Sequence, residues 1–171
     1  NSAGGSVSVA FTLKYPERVQ ALILVDPALG EYGGRFPAWV IPLMATPQMR
    51  RVGPLLVRNI AQTGNDTILQ AWHDPSLVTT ETIEGYRKPL KTYNWDRALF
   101  EFTIAARPLG LKERFTELKM PVIVIAGDDD RIIPTEYSVQ ASQDIPGSQL
   151  VILPACGHVP HEECPVAFME A

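Results

Sequence analysis

The stretch PVIVIAGDDDRIIP, Pro121–Pro134, joins a short apolar run to a turn that carries three aspartates. The run Val122 to Ala126 is rich in β-branched residues, which is typical of a strand buried on both faces. In parallel α/β sheets, binding and catalytic groups follow the carboxyl ends of the strands. The stretch therefore predicts a parallel sheet with a polar site at that edge.

Two further runs share this pattern. ALILVD, Ala21 to Asp26, ends in an aspartate, and Leu150 to Leu153 leads within five residues to Gly157-His158. Between the runs lie helical patterns, first an apolar face of Val7, Ala10, Phe11 and Leu13, then EYSVQASQDIPG and HEECPVAFMEA. Alternating strands and helices predict an α/β fold with a mostly parallel sheet.

The middle of the chain, from about Gly30 to Pro108, has no strand pattern. Its apolar first half is broken by prolines, and its second half indicates helices, one capped by Thr80 and one running from about Trp95. We therefore predict that residues 31–108 form a helical cap inserted into a core made of residues 1–30 and 109–171.

Composition excludes several classes of function. The 171 residues carry a net charge of −4, so no electrostatic argument favours nucleic acid or an anionic membrane as partner. No apolar run reaches the roughly 18 residues of a membrane span. The two cysteines are too few for a disulfide scaffold and are interpreted as small buried hydrophobic residues. A reducing cytoplasm is the favoured location.

The chain opens with Asn1-Ser2-Ala3-Gly4-Gly5, followed by a helical pattern. A serine among small residues at the start of a helix is typical of a strained turn that presents a nucleophile. The helix would point the N–H of Ala3 and its positive dipole end at developing negative charge. The same letters also suit a flexible loop.

The order of the polar residues carries more information than any one of them. Ser2, Asp130 and His158 each follow a strand or stand at a strand-to-helix turn, in the order of the triad of one hydrolase fold. Without a catalytic role, Asp130 would belong to a solvated acidic turn, and His158 would be a solvated histidine in a loop.

With these residues the chain resembles the C-terminal part of an α/β-hydrolase with a cap domain. The acid of that family follows a strand as G-x-x-D-x-x-x-P, and Asp130 stands at the D. The histidine stands in a G-H dipeptide, as His158 does, and Ser2 matches the elbow serine. LVDP after the first strand and HVPHEE from the histidine onward are also common in the family.

The resemblance implies a serine hydrolase without cofactor or metal that acts on a small-molecule substrate. Ser2 is the expected nucleophile, His158 the proton carrier and Asp130 its orienting acid, with Ala3 N–H in the oxyanion hole. A serine argues against the epoxide-hydrolase and haloalkane-dehalogenase branches. Ester hydrolysis is the first expectation, while amide, thioester, lactone and carbon–carbon bond cleavage stay open, as does the oligomeric state.

Because the chain starts at the elbow, we expect the first half of the fold to lie outside it. That half carries a second oxyanion donor in the family, usually near a His-Gly motif. The 171 residues alone are therefore expected to be an incompetent enzyme.

Several alternatives remain. Asp26 is the second candidate for the triad acid. Cys156, His158, His161 and Cys164 form C-x-H-x-x-H-x-x-C and could bind zinc, although the spacing is not that of a standard finger. A non-catalytic binding module is a third possibility. In the cap, Trp39, Met44 and Trp72 are candidate substrate contacts or cap core, and His73 is a turn residue or a substrate contact.

Overall fold

The three apolar runs form one parallel sheet in the order β1-β2-β3. The protein is represented by a computed structural model, which describes residues 1–29, 40–105 and 109–171. The strands are β1 (Leu22–Val25), β2 (Val122–Gly127) and β3 (Gln149–Leu153). The predicted α/β fold class with a parallel sheet is confirmed.

Helices precede, separate and follow the strands. In the described part of the chain the α-helices are α1 (Ala3–Lys14), α2 (Val40–Met44), α3 (Pro47–Thr63), α4 (Asn65–Gln70), α5 (Thr80–Arg87), α6 (Trp95–Ala105), α7 (Thr135–Asp144), α8 (Pro160–Glu163) and α9 (Pro165–Glu170). Short 3-10 segments lie at Pro16–Arg18, Pro75–Leu77, Lys88–Lys91 and Lys112–Glu117.

Alternate residues of the strands serve two separate cores. Leu24 and Val124 belong to a cluster that also contains Val9 of α1 and Ala141 of α7. The alternate residues Ile123 and Ile125 of β2 belong to a second cluster, which also contains Leu153 of β3 and packs against Ala167 and Phe168 of α9. Burial on both faces explains why the central strand β2 is a continuous apolar run, whereas Ile23 of β1 and Ile152 of β3 are exposed.

The buried face of α1 differs from the predicted one. Val9 and Thr12 are buried, whereas Val7 is 67% exposed and Phe11 40% exposed. Thr12 can be buried because its hydroxyl donates to the carbonyl oxygen of Ser8 at 2.8 Å. Apolar residues occur on several sides of this helix, so periodicity alone could not select the face that packs.

The chain divides into two compact units. One contains the described residues of 1–33, 70–77 and 108–171, and the other those of 34–69 and 78–107. The sheet lies in the first unit, and so does segment 70–77, which falls within the predicted cap. The assignment of residues 31–108 to a cap stays a prediction. None of the described helices has both the length and the hydropathy needed to cross a membrane.

The second unit is helical in its described part, and two local predictions for it are wrong. Pro54 does not break α3, which continues to Thr63 because its packing against α6 outweighs one missing backbone hydrogen bond. The cap of α5 is Thr79 and not Thr80, since Thr79 Oγ1 accepts from Thr82 N at 3.1 Å. Arg58 pairs with the buried Asp96 across α3 and α6 at 2.6 Å.

Candidate active site

Asp130 and His158 form a buried hydrogen-bonded pair. His158 Nδ1 lies 2.7 Å from Asp130 Oδ2, and the Asp130 side chain is 0% exposed. The other carboxylate oxygen accepts from the N–H groups of Ile132 and Ile133 at 2.8 and 2.9 Å. These contacts fix the Asp130 side chain, so that one oxygen is left to orient the imidazole. The structure therefore brings these two predicted residues together.

Two glycines let the histidine loop lie close to its neighbours. A Cβ on Gly127, at the end of β2, would lie 2.2 Å from the carbonyl oxygen of Gly157. A Cβ on Gly157 would lie 2.5 Å from the carbonyl oxygen of Ala71. The next residue, His158, donates its N–H to that same Ala71 oxygen at 2.7 Å. Segment 70–77 therefore supports the backbone of His158 directly.

The carboxylate of Glu163 joins these two segments. It accepts from Gly157 N at 2.7 Å, His73 N at 3.0 Å and Asp74 N at 2.8 Å. Glu163 was not among the predicted site residues, because an acid in HEE also suits the first turn of a helix. Glu163 is thus a structural support for the loop that carries His158.

We expect Glu163→Gln to lower the free energy of unfolding of the full-length protein by about 1.5–3 kcal/mol, the range for hydrogen bonds to a charged group. The amide has one acceptor oxygen and turns an NH₂ group toward backbone donors. Chemical denaturation measures the effect. The matched control is Glu162→Gln on the same helix, for which we expect less than about 0.5 kcal/mol. Equal effects of the two substitutions would contradict the role given to Glu163.

Ser2 stands at the turn before α1 with a positive φ of 52°, a region that non-glycine residues rarely occupy. Its N–H donates to Val25 O at 3.1 Å, and its carbonyl oxygen accepts from Ala28 N at 3.0 Å. The turn is thereby held against the end of β1. Ala3 is the first residue of α1, so its N–H has no acceptor within the helix.

Ser2 is connected to the histidine loop through its neighbour. Asn1 Nδ2 donates to the carbonyl oxygens of Val25 and His158, at 3.2 and 3.0 Å. Among the described residues no hydrogen bond joins Ser2 Oγ to the His158 ring. The contacts bring the predicted nucleophile to the same edge of the sheet as the pair, and its catalytic role stays a prediction.

Asp26, the alternative acid, is fully buried directly after β1. Its Oδ1 accepts from Gly127 N at 3.1 Å. Burial, followed by the negative charge of Asp130, raises the pKa of Asp26 to about 9. His158 is paired with Asp130 and not with this carboxyl.

One group of side chains in the described part of the chain has the geometry to hold a metal ion. One ligand atom from each of Asp26, Asp130 and His158 lies within 4.8 Å of the others. An ion there would compete for His158 Nδ1 and Asp130 Oδ2, which already bind each other. The contacts therefore fit a hydrogen-bonded set better than a metal centre.

The remaining residues of the acidic turn have structural contacts. Asp129 pairs with Arg131 and with His73 Nδ1, the latter at 2.8 Å. These two hydrogen bonds, the one from Arg131 first, lower the pKa of Asp129. Asp128 Oδ1 accepts from Cys156 N at 3.4 Å. His73 thus belongs to the support of the loops, in agreement with its interpretation as a turn residue.

The interpretation of the cysteines as free hydrophobic residues is wrong, because Cys156 and Cys164 form a disulfide. The predicted last helix is interrupted at Cys164, where Pro165 offers no N–H, and this break directs the Cys164 side chain to Cys156. With both sulfurs bonded to each other, neither is a thiolate ligand for the zinc site considered above. The bond gives no support to a reducing cytoplasm.

The candidate substrate contacts have separate environments. Trp39 lies outside the described residues. Met44 ends α2 and is partly buried. Trp72 is 6% exposed, and its Nε1 is a buried donor without a partner in the described part of the chain. A substrate role for any of the three stays a prediction.

Comparison with known proteins agrees with this geometry. Residues 1–165 match the family described as alpha/beta hydrolase fold. The chain belongs to the α/β-hydrolase fold family. The resemblance inferred from Ser2, Asp130 and His158 is thus confirmed at the level of the family.

Two relatives of the chain are named as hydrolases. The 2-hydroxy-6-oxononadienedioate/2-hydroxy-6-oxononatrienedioate hydrolase of Comamonas testosteroni is 30% identical over 167 residues, covering 92% of this chain and 54% of its own length. The 2-hydroxy-6-oxo-6-phenylhexa-2,4-dienoate hydrolase of Burkholderia cepacia is 29% identical over 167 residues, with the same coverage of both chains. The chain thus spans about half the length of these relatives.

Solved structures show the same fold. An α/β-hydrolase fold protein from Burkholderia ambifaria matches the chain with a TM-score of 0.70 and 22% identity, over 96% of this chain and 60% of its own. The 2-hydroxy-6-oxo-6-phenylhexa-2,4-dienoate hydrolase of a Rhodococcus strain matches with a TM-score of 0.68 and 22% identity, over 99% and 59%.

Proposed function

We propose that the protein containing this chain hydrolyses carboxylic esters of small molecules through Ser2, His158 and Asp130. The observation that carries the proposal is the buried hydrogen bond between Asp130 and His158 at the strand edge to which Ser2 is tied. Membership of a hydrolase family supports the reaction class, and the order of the three residues supports their roles.

The pairing of His158 with Asp130 determines the path of the proton during the reaction. Because Asp130 accepts from Nδ1–H, the other ring nitrogen is free to take the proton of Ser2 Oγ as it attacks the acyl carbon. The imidazolium then delivers that proton to the leaving alkoxide. Water attacks the acyl-enzyme by the same route, releasing a carboxylic acid and restoring Ser2.

Charge stabilisation comes from the start of α1. The N–H of Ala3 has no acceptor within the helix and would donate to the oxyanion of the tetrahedral intermediate. The positive end of the α1 dipole acts in the same direction.

A second candidate reaction is cleavage of a carbon–carbon bond. The names of the Comamonas testosteroni and Burkholderia cepacia relatives point to it, since both act on 2-hydroxy-6-oxo-dienoates. In this reaction the imidazolium of His158 would protonate the carbon atom of the leaving group instead of an alkoxide oxygen. A carbon leaving group departs only where conjugation spreads its negative charge.

A direct comparison of substrates separates the two reactions. We expect the full-length protein to hydrolyse p-nitrophenyl esters of graded acyl length with a kcat/KM at least about tenfold above that on 2-hydroxy-6-oxo-6-phenylhexa-2,4-dienoate. The reverse ratio would replace ester hydrolysis by carbon–carbon hydrolysis. No turnover of either class would overturn the proposal.

Further proposals concern the substrate contacts, the cap and the location. Met44 and Trp72 are proposed to contact the substrate, as is Trp39, and residues 31–108 are proposed to form the cap. The proposed partner is a small-molecule substrate. A cytoplasmic location rests on composition alone, because the Cys156–Cys164 disulfide gives it no support.

A further inference from the structure

Asp26 contains an unexplained buried polar atom. The residue is 0% exposed, has a positive φ of 41° and stands directly after β1. One carboxyl oxygen, Oδ1, accepts from Gly127 N at 3.1 Å. The other, Oδ2, is buried and has no hydrogen-bond partner in the described part of the chain. A buried acceptor without a donor is rare and costly in folded proteins.

The neighbouring side chain of Asp130 explains why Asp26 Oδ2 has no hydrogen-bond donor. Asp26 lies next to Asp130, and one ligand atom from each of these residues and His158 lies within 4.8 Å of the others. Asp130 already accepts from Ile132 N, Ile133 N and His158 Nδ1. It is therefore an acceptor, and a second negative charge beside it would repel it in a buried place.

We propose that Asp26 is a positioning residue whose Oδ2 carries a proton at neutral pH and donates a hydrogen bond to the carboxylate of Asp130. A proton at this atom supplies the missing partner and removes the repulsion at once. Two adjacent carboxyl groups that share one proton are known from aspartic proteases. The catalytic part of this proposal rests on the proposed function of the Ser2 triad, whereas the protonation does not.

Burial and a neighbouring charge both favour the protonated form of Asp26. Burial is the largest cause and the charge of Asp130 the second, and together they raise the pKa of Asp26 to about 9. The hydrogen bond from Gly127 N acts in the opposite direction. His158, from the loop after β3, is the other titratable group at the site.

The variant Asp26→Asn tests whether the carboxyl group of Asp26 is protonated or ionised. An asparagine can keep Oδ1 on Gly127 N and donate from Nδ2 to Asp130, at every pH. The matched variant Asp26→Leu has a similar shape and neither hydrogen bond. Asparagine therefore copies the proposed state, and leucine removes it.

The first test is thermal unfolding of the full-length protein between pH 4 and pH 9. In the unfolded chain Asp26 ionises near pH 4, whereas the folded protein holds the proton up to about pH 9. The unfolded state binds fewer protons in this window, so this residue makes the wild type less stable as pH rises. We expect the Tm of Asp26→Asn to exceed that of the wild type by several degrees at pH 8 and by little at pH 4. A Tm loss for Asp26→Asn that grows with pH would overturn the proposal.

The second test is the pH profile of kcat. We expect Asp26→Asn to recover most of the activity that Asp26→Leu loses at pH 7, and to extend the alkaline limb of the profile above pH 9. Ionisation of Asp26 in the wild type would remove its hydrogen bond to Asp130 and place a second buried negative charge beside it, so Asp130 would lose the contact that positions it. A loss of about 10³-fold or more for Asp26→Asn at pH 7 would identify Asp26 as the ionised acid and refute the assignment. If Ser2→Ala kept full activity, the proposed function would fail while the pH dependence of Tm would still decide the protonation.

Discussion

Replacing Ser2 with alanine in the full-length protein should reduce kcat on the preferred ester by about 10⁴–10⁶-fold, the loss typical of a missing serine nucleophile. The same substitution should abolish covalent labelling by a fluorophosphonate probe. The reason is local. Ser2 is held at the start of α1 by backbone hydrogen bonds to Val25 and Ala28, so the loss of Oγ removes the nucleophile and leaves the turn in place.

Ser6→Ala is the matched control, because Ser6 lies on the next turn of the same helix. Its hydroxyl donates to the carbonyl oxygen of Ala28, a structural contact. This variant should keep its labelling and most of its kcat, with a modest loss of stability. If Ser2→Ala were still labelled at the wild-type rate, the nucleophile would lie elsewhere and the proposed triad would be wrong.

The sheet and its polar edge could be predicted because both depend on short-range signals. Each strand is a continuous apolar run that ends in a glycine, an aspartate or a proline within a few residues. Once the strands are taken as parallel, their carboxyl ends must lie at one edge, and Asp26, Asp130 and His158 come together without further information.

The supports of the site could not be predicted because they join distant parts of the chain. Glu163 accepts from His73, 90 residues earlier, and His158 donates to Ala71. Segment 70–77 reads as part of a helical insertion, and nothing in its letters indicates that it packs against the histidine loop. The proximity of Cys156 and Cys164 depends in turn on the helix break at Pro165, which periodicity alone does not reveal.

The choice between two acids shows where sequence reasoning ends. Asp26 and Asp130 both follow buried strands, and both are buried in the fold. The family motif favours Asp130, and the structure adds the physical difference: Asp130 receives two backbone N–H groups and the imidazole. Asp26 receives one N–H and keeps an oxygen without a donor in the described part of the chain. The difference in donors gives the two carboxyl groups different expected protonation states.

Asp130→Asn should therefore be the second severe substitution, with a loss of about 10⁴-fold in kcat. The backbone contacts fix the direction of the new amide. Its oxygen keeps the hydrogen bonds from Ile132 N and Ile133 N, so its NH₂ group must face His158 Nδ1. Two donors cannot face each other, so Nδ1 becomes the acceptor and the ring proton moves to Nε2. The nitrogen that should take the proton of Ser2 is then already occupied.

The measurement is kcat on the preferred ester, with circular dichroism to establish that Asp130→Asn remains folded. Asp26→Asn is the matched control, because it makes the same chemical change at the neighbouring carboxyl and should leave the orientation of His158 intact. A loss below about tenfold for Asp130→Asn, or a larger loss for Asp26→Asn, would transfer the role of triad acid to Asp26. Covalent labelling by a fluorophosphonate is a second measurement. Its fall in Asp130→Asn should match the fall in kcat, because both reactions need His158 to remove the proton of Ser2.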